Sequence, residues 1–306
     1  MKIAMTGSSG FVGRALVRRL EAEGNHVIRL VRRRPERPEE VEWHLPPMDS
    51  ELCRRLEGVD GVVNLAGTNL AGGRWTAVRK DEIRRSRIEG TRALVAVMKR
   101  LGSPQPAFVS ASAVGYYGDR ADEELTEESG PGGGFLAEVC QAWEQEAEAA
   151  ASAGIRCVLL RLGMVLGKGG GALARLVPVY RAGFGGPLGR GRQWVSWVTL
   201  DDAAGIAVHA LREPGLAGPV NAVAPSPVRN EEFSGMLARA LDRRTFFSTP
   251  AFVLRAAFGE MADEMLLASA RVHPQRLLET GFRFMHPELG AALRDALATG
   301  GGSARG

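Results

Sequence analysis

The sequence predicts a doubly wound α/β fold built on a parallel sheet, with a smaller, mainly helical C-terminal lobe. Three observations carry this. Short apolar runs alternate with amphipathic runs over the first 162 residues, the pattern of parallel strands joined by crossover helices. A glycine-spaced loop, Gly7-Ser8-Ser9-Gly10-Phe11-Val12-Gly13, directly follows the first apolar run. After Gly163 the alternation stops, and glycine-rich loops and helical stretches replace it.

Taken in order, Lys2–Thr6 reads as a buried strand and Gly7–Gly13 as a tight loop. Arg14–Gly24 reads as a helix closed by Gly24, the residue type that favours a C-terminal cap. His26–Val31, Val41–Leu45 and Gly61–Ala66 are the next strands. Asp81–Leu101 is a long helix with Leu94, Val97, Met98 and Leu101 on its apolar face. Ala107–Ser112 is the fifth strand, Leu136–Ala153 a helix and Arg156–Leu162 the sixth strand. Beyond Gly163, the loops Gly167–Gly171 and Gly183–Gly191 flank a short helix. Asp201–Leu211 is a helix returning to the sheet, capped by Asp201-Asp202. Further helices are expected over Glu231–Leu241, Pro250–Gly259, Glu264–Ala270 and Pro287–Leu297. The expected division is residues 1–166 as the sheet domain with 199–224 returning to it. Residues 167–198 and 225–298 then form the lobe, and 299–306 a disordered tail.

With 306 residues, 45% of them apolar, the chain can bury a core without disulfides or structural metal. Cys53, Cys140 and Cys157 are odd in number and far apart, so no disulfide framework is implied. Neither CxxC nor HExxH occurs and the five histidines form no ligand pair, so no metal site is expected. The N-terminus lacks a secretory pattern and no run of ~18 uncharged apolar residues occurs, so a cytoplasmic location without membrane contact is expected. Two excesses need explaining: 39 glycines, and 35 arginines against four lysines. The glycines concentrate at 7–13, 130–134, 167–171 and 183–191, which read as loops that approach a ligand. The arginines are uneven: residues 14–37 hold eight against three glutamates, whereas 119–148 hold ten acids against one arginine. That split, at a net charge of only +4, fits a local anionic ligand better than a nucleic-acid-binding face.

The glycine loop names that ligand. Gly7 permits a tight turn, Gly10 lets backbone approach a pyrophosphate, and Gly13 allows close helix–sheet packing. The following helix N-terminus presents N–H donors and the positive end of its dipole. Dinucleotide binding by Gly7 through Gly13 is the reading; a sharp turn without a ligand is the alternative. NAD-binding folds place an acid at the end of the second strand for the ribose 2′-hydroxyl. Here Arg32-Arg33-Arg34 stand there, with no acid before Glu36. Guanidinium groups bind a 2′-phosphate that a carboxylate would repel, so NADP(H) is expected, with Arg32 and Arg33 as its ligands. A solvated turn is the alternative.

Together with Asn64-Leu65-Ala66-Gly67 and Ser110-Ala111-Ser112, these residues resemble the short-chain dehydrogenase/reductase superfamily in its extended or atypical, epimerase/dehydratase-like branch. Arg74-Trp75-Thr76, Ser86-Arg87-Ile88, the run Ser112 to Asp119, Gly185 to Gly189, Gln193 to Trp197, Gly259 to Ala262 and Gly281 to Phe284 narrow it. They resemble the "epimerase family protein" subgroup, which carries a C-terminal domain of unknown function. The resemblance spans residues 1–297 and implies a Rossmann fold with bound NADP(H). It also implies Leu65, Ala66, Gly67, Ser110 and Arg161 near the cofactor and Ser112 as the catalytic serine. The superfamily's Tyr-x-x-x-Lys pair is absent: taking Glu144 as the acid that follows the lysine puts Leu136 at the tyrosine position and Cys140 at the lysine position. Three readings stay open. Tyr116, Tyr117, Glu138 or Cys140 serves as acid/base; Ser112 works with a water alone; or NADP(H) binds without turnover.

Arg74, Trp75 and Arg87 after the fourth strand, and Gln193 and Trp197 after the sixth, are the candidates to hold a substrate. Solvated or salt-bridged surface positions are the alternative. The expected activity is that of an NADP-dependent oxidoreductase or epimerase, with hydride transfer at a hydroxyl or carbonyl carbon of an unidentified small molecule. The rival is a non-catalytic, NADP(H)-responsive regulatory or interaction protein. A monomer or homodimer is expected.

Overall fold

The computed structural model describes residues 1–43, 50–101, 105–245 and 247–298; the tail 299–306 and the last residues of the third expected strand lie outside the described residues. The elements run β1 (Lys2–Thr6), α1 (Phe11–Ala22), β2 (His26–Val31), β3 (Glu40–Glu42), α2 (Ser50–Leu56), β4 (Gly61–Asn64), α3 (Ala77–Met98) and β5 (Ala107–Ala113). Then come β6 (Glu124–Leu125), α4 (Phe135–Glu148), β7 (Cys157–Leu162), β8 (Met164–Leu166), α5 (Leu173–Arg181), β9 (Trp194–Val195), β10 (Trp197–Thr199) and α6 (Leu200–Arg212). The chain closes with β11 (Gly218–Ala222), β12 (Val228–Arg229), α7 (Asn230–Ala240), α8 (Ala251–Phe258), β13 (Arg271–Val272), α9 (Gln275–Glu279) and α10 (Leu289–Leu297).

Seven parallel strands form the main sheet in the order β11-β7-β5-β4-β1-β2-β3. The chain winds outward from β1 to β3, then returns to β4 on the other side of β1. That reversal makes the carboxyl ends of β1 and β4 the switch point where such sheets bind ligands. The strands are apolar on both faces because helices cover both. On one side Leu16, Leu20, Ile206 and Val208 of α1 and α6 pack on Ile3, Met5, Val63 and Val109. On the other, Leu56, Leu94, Met98 and Ala147 of α2, α3 and α4 pack on Ala4, Val62 and Phe108. A separate cluster joins Leu173, Tyr180, Trp197, Phe233, Leu237 and Leu293 from α5, β10, α7 and α10. Among the described residues no helix is long and apolar enough to cross a membrane.

Where the elements differ from expectation, local chemistry explains it. The first helix closes as expected: Gly24 takes φ +75°, with Asn25 N donating to Leu20 O and Gly24 N to Glu21 O, a Schellman cap. The α3 helix starts at Ala77 and not Asp81, because the Thr76 side chain accepts from Arg79 N at 3.2 Å. The cap of α6 is Thr199 and not Asp201-Asp202: its hydroxyl accepts from Asp202 N at 3.1 Å. The Asp202 carboxylate accepts from the Thr199 hydroxyl and from Met285 N and His286 N. The expected helix over Glu264–Ala270 is a π-helical turn at Ala262–Leu267, followed by β13 paired with β6.

Candidate functional site

The glycine loop sits at the switch point, and its own backbone dictates its glycines. Gly7 holds φ +70°, and a Cβ there would lie 2.6 Å from the carbonyl carbon and oxygen of Leu65. A Cβ on Gly13 would overlap the carbonyl oxygen of Gly7. The loop is therefore folded tightly against the end of β4, with Ser9 and Gly10 exposed at its crest. Gly10 is the N-cap of α1 and no side chain caps that helix, so its first-turn N–H groups are not spent on the protein's own side chains. That arrangement fits a pyrophosphate. The Val12 side chain instead packs into the core.

Several glycines of the other clusters are required by the protein's own packing. Gly167, Gly170 and Gly171 lie flat on the Phe11 ring, where a Cβ on Gly171 would come within 2.7 Å of it. Gly185 clears the ring of Tyr180, and Gly132 clears the carbonyl oxygen of Tyr117.

At the end of β2 the two expected phosphate ligands part company. Arg33 is committed to the chain: it donates to both Glu40 carboxylate oxygens, at 2.8 and 3.0 Å. That hydrogen bonding raises the Arg33 pKa, and Glu40 is held low by the Glu36 N–H and then by Arg33. Arg32 is exposed and has no hydrogen-bond or ion-pair partner among the described residues. Of the two, it is the guanidinium left available.

The expected catalytic serine is buried, at 2% exposure, and its hydroxyl donates to Glu144 Oε1 at 2.5 Å. Glu144 forms a bidentate pair with Arg161, Nε to Oε1 at 2.9 Å and Nη2 to Oε2 at 2.8 Å. Arg161 donates onward from Nη1 to the Tyr117 hydroxyl at 2.9 Å, and Tyr117 donates to Asn221 Oδ1 at 2.7 Å. The Arg161 guanidinium also lies 3.5 Å from the Tyr116 ring centroid. Burial opposes the Arg161 charge, but the Glu144 hydrogen bonds and charge keep its pKa above the ordinary value. Burial likewise pushes the Tyr117 phenol up. These groups form a satisfied interior network that ties β5, α4, β7 and β11 together. Within it the Ser112 hydroxyl is directed to Glu144 and the Tyr117 hydroxyl to Asn221, while Arg161 joins the two. Ser110 is fully buried and accepts from Asn64 Nδ2 at 3.3 Å.

The remaining relay candidates are no better placed. Leu136 is 8% exposed and Cys140 4%. Burial, with the Glu144 charge, pushes the Cys140 thiol up to about 12. Glu138 pairs with Arg84 at the surface, at 3.2 Å. Of the acid/base candidates with a hydroxyl, Tyr116 is the one without a hydrogen-bond partner among the described residues. It lines a cleft of about 510 Å³ with Glu127, Gln141, Glu144 and Arg276, and no glycine-loop residue borders that cleft.

Most substrate candidates are also engaged. Arg74 caps the end of α8 by donating to Ala256 O and Ala257 O. Trp75 stacks edge-on against Phe135 at 5.3 Å and donates to Leu70 O. Gln193 donates to Leu188 O and Leu266 O. Trp197 is fully buried and donates to Ser226 O, a core position that the neighbouring glycines disguised as a loop. The exception is Arg87. Sequence reasoning missed Glu264, whose carboxylate accepts from Phe135 N and Leu136 N at 2.7 and 2.9 Å and so caps α4 from the C-terminal lobe. No local signal announces it, since its partners are more than a hundred residues away. Among the described residues no group of three or more His, Cys, Asp or Glu side chains could hold a metal ion.

If the network is scaffold, Ser112→Ala should lower stability by about 1–2 kcal/mol, read as a lower melting temperature, and leave dinucleotide affinity unchanged. Glu144→Gln should cost more, about 3–5 kcal/mol, because it strands a buried guanidinium. A Ser112→Ala variant that kept its melting temperature but lost dinucleotide affinity would give the serine back its place in the site.

A family model described as the NAD dependent epimerase/dehydratase family matches residues 3–222, and a domain of unknown function (DUF1731) matches 249–296. The chain is 42% identical over 292 residues to "epimerase family protein MT2273" of Mycobacterium tuberculosis, covering 95% of this chain and 96% of that one. It is 38% identical over 302 residues to the human "epimerase family protein SDR39U1", covering 97% and 100%. The crystal structure of human SDR39U1 (isoform 2) with NADPH superposes with a TM-score of 0.87 at 36% identity, covering 97% of this chain and 99% of that one.

Proposed function

Because the chain belongs to the NAD dependent epimerase/dehydratase family, we propose that it binds NADP(H) and responds to it without consuming it. The glycine loop would hold the pyrophosphate on the first turn of α1, with Leu65, Ala66 and Gly67 bordering the cofactor and Arg32 holding the 2′-phosphate. The NADPH carried by the similar human protein supports this choice of cofactor. When bound, the dinucleotide supplies a hydride donor or acceptor; the protein must supply a proton path for alcohol–carbonyl chemistry. One observation carries the non-consuming reading. The two positions of the relay hold leucine and a buried neutral thiol, and the serine beside them donates its hydrogen bond to Glu144.

A second reading rests on Tyr116. Its hydroxyl has no partner among the described residues and its ring stacks on Arg161, so it could donate a proton to a reduced carbonyl oxygen. A panel of aldehydes, ketones and quinones, followed through NADPH absorbance, separates the two. The non-consuming reading expects no oxidation above the buffer rate for any acceptor. Turnover that Tyr116→Phe abolishes would overturn it in favour of the second reading.

A further inference from the structure

We infer that Arg87 forms an anion subsite on the β4 side of the cofactor cleft, taking an anionic oxygen that no residue of the protein supplies; this rests on the NADP(H) reading above. The α3 helix lays its side chain over Gly67, where a Cβ would sit 3.1 Å from the guanidinium carbon and 3.2 Å from Nη2. Gly67 lies two residues beyond Leu65, whose carbonyl backs directly onto Gly7. Arg87 and the glycine loop therefore border one switch point. The Ser86 hydroxyl, accepting from Thr68 N at 3.1 Å, fastens α3 to this stretch.

The guanidinium is held but not neutralised. Nη1 donates to Thr68 O and Ile83 O, both at 3.2 Å, and the group lies 5.2 Å from the Trp143 ring centroid. Nε and Nη2 have no partner among the described residues, and no carboxylate pairs with it. The other four arginines of α3 each do have one: Arg79 with Glu82, Arg84 with Glu138, Arg85 with Glu89 and Arg92 with Glu146. Arg87 is also half-buried. Burial holds its pKa below the ordinary value, opposed by a smaller effect of Cys140 and helped by a still smaller one of the Arg79 charge. A cation removed from water without a counter-charge is costly, and a ligand anion recovers that cost. The fork geometry suits a phosphate or carboxylate oxygen. Two ligands could bring it: a phosphate of the cofactor, or an anionic group of a second molecule.

The test compares wild-type and Arg87→Gln proteins in three titrations. If the cofactor brings the anion, NADPH binds Arg87→Gln at least ~10-fold more weakly, while 2′,5′-ADP, which ends at the adenosine 5′-phosphate, changes less than ~2-fold. If a second molecule brings it, NADPH affinity is unchanged, and inorganic phosphate raises the melting temperature of NADPH-loaded wild type but not of NADPH-loaded Arg87→Gln. In either case the ligand-free variant melts at or above the wild-type temperature, because an uncompensated charge has been removed. The inference is overturned if neither NADPH affinity nor the phosphate response changes, or if only the ligand-free melting temperature falls. Should Arg87→Gln fail to fold, Arg87→Lys, which keeps the charge and loses the fork, is taken through the same titrations. Wild type that does not bind NADPH refutes the cofactor reading itself, a result separate from any effect of Arg87.

Discussion

Gly13→Ala should abolish NADPH binding and lower the melting temperature. The added Cβ would overlap the Gly7 carbonyl oxygen, which is backbone and cannot rotate away. The loop or the start of α1 must shift, at a cost of about 1–3 kcal/mol to the fold, and the N–H groups that should face the pyrophosphate shift with it. Affinity should fall by roughly 100-fold or more. Gly10→Ala separates the two effects. Its Cβ would meet only the Gly7 carbonyl oxygen, at 3.1 Å, and the residue is exposed at the crest of the loop. That variant should keep its melting temperature and still lose NADPH. Equal loss of stability in both variants, or NADPH binding retained by Gly10→Ala, would mean that the loop is only a turn.

The second large effect is one of selectivity. Arg32→Gln should weaken NADPH by about 10–100-fold, the worth of one or two charge-assisted hydrogen bonds to a 2′-phosphate, and leave NADH where it was. The preference between the two cofactors should collapse accordingly. Arg33→Gln should do less to NADPH, because Arg33 is already bound to Glu40, and should instead loosen the turn between β2 and β3. Titrations of both variants with both cofactors decide it. If Arg33→Gln and not Arg32→Gln removes the preference, the Arg33–Glu40 pair must open when the cofactor binds.

What the sequence made legible was local. The β1 strand, the Gly7–Gly13 loop and the helix after it lie within a single 22-residue stretch, and each of their signals is spaced by the geometry it encodes. The strand–helix alternation likewise carried the sheet as far as β7. The fate of the polar candidates was not legible, because it depends on partners distant in sequence. Ser112 is silenced by Glu144 and Tyr117 by Asn221, 104 positions away. Gln193 is spent on Leu266 O, and Arg74 on the end of α8. A motif can place such residues at the right strand end without revealing which way the hydroxyl proton points. The absence of the Tyr-x-x-x-Lys pair could be read from Leu136 and Cys140 alone. That Tyr116, unlike Ser112 and Tyr117, keeps its hydroxyl unbonded among the described residues became visible only in the structure. The arginine excess divides in the same way: Arg33 and Arg161 are structural, whereas Arg32 and Arg87 keep donors free.

Cofactor choice is where these observations converge, and native mass spectrometry of the purified protein in an equimolar mixture of NADPH and NADH tests it most directly. A single adduct at the mass of NADPH, unchanged in oxidation state after prolonged incubation with carbonyl compounds, is expected. An NADH adduct, an equal mixture, or steady conversion of the bound NADPH to NADP⁺ would contradict it.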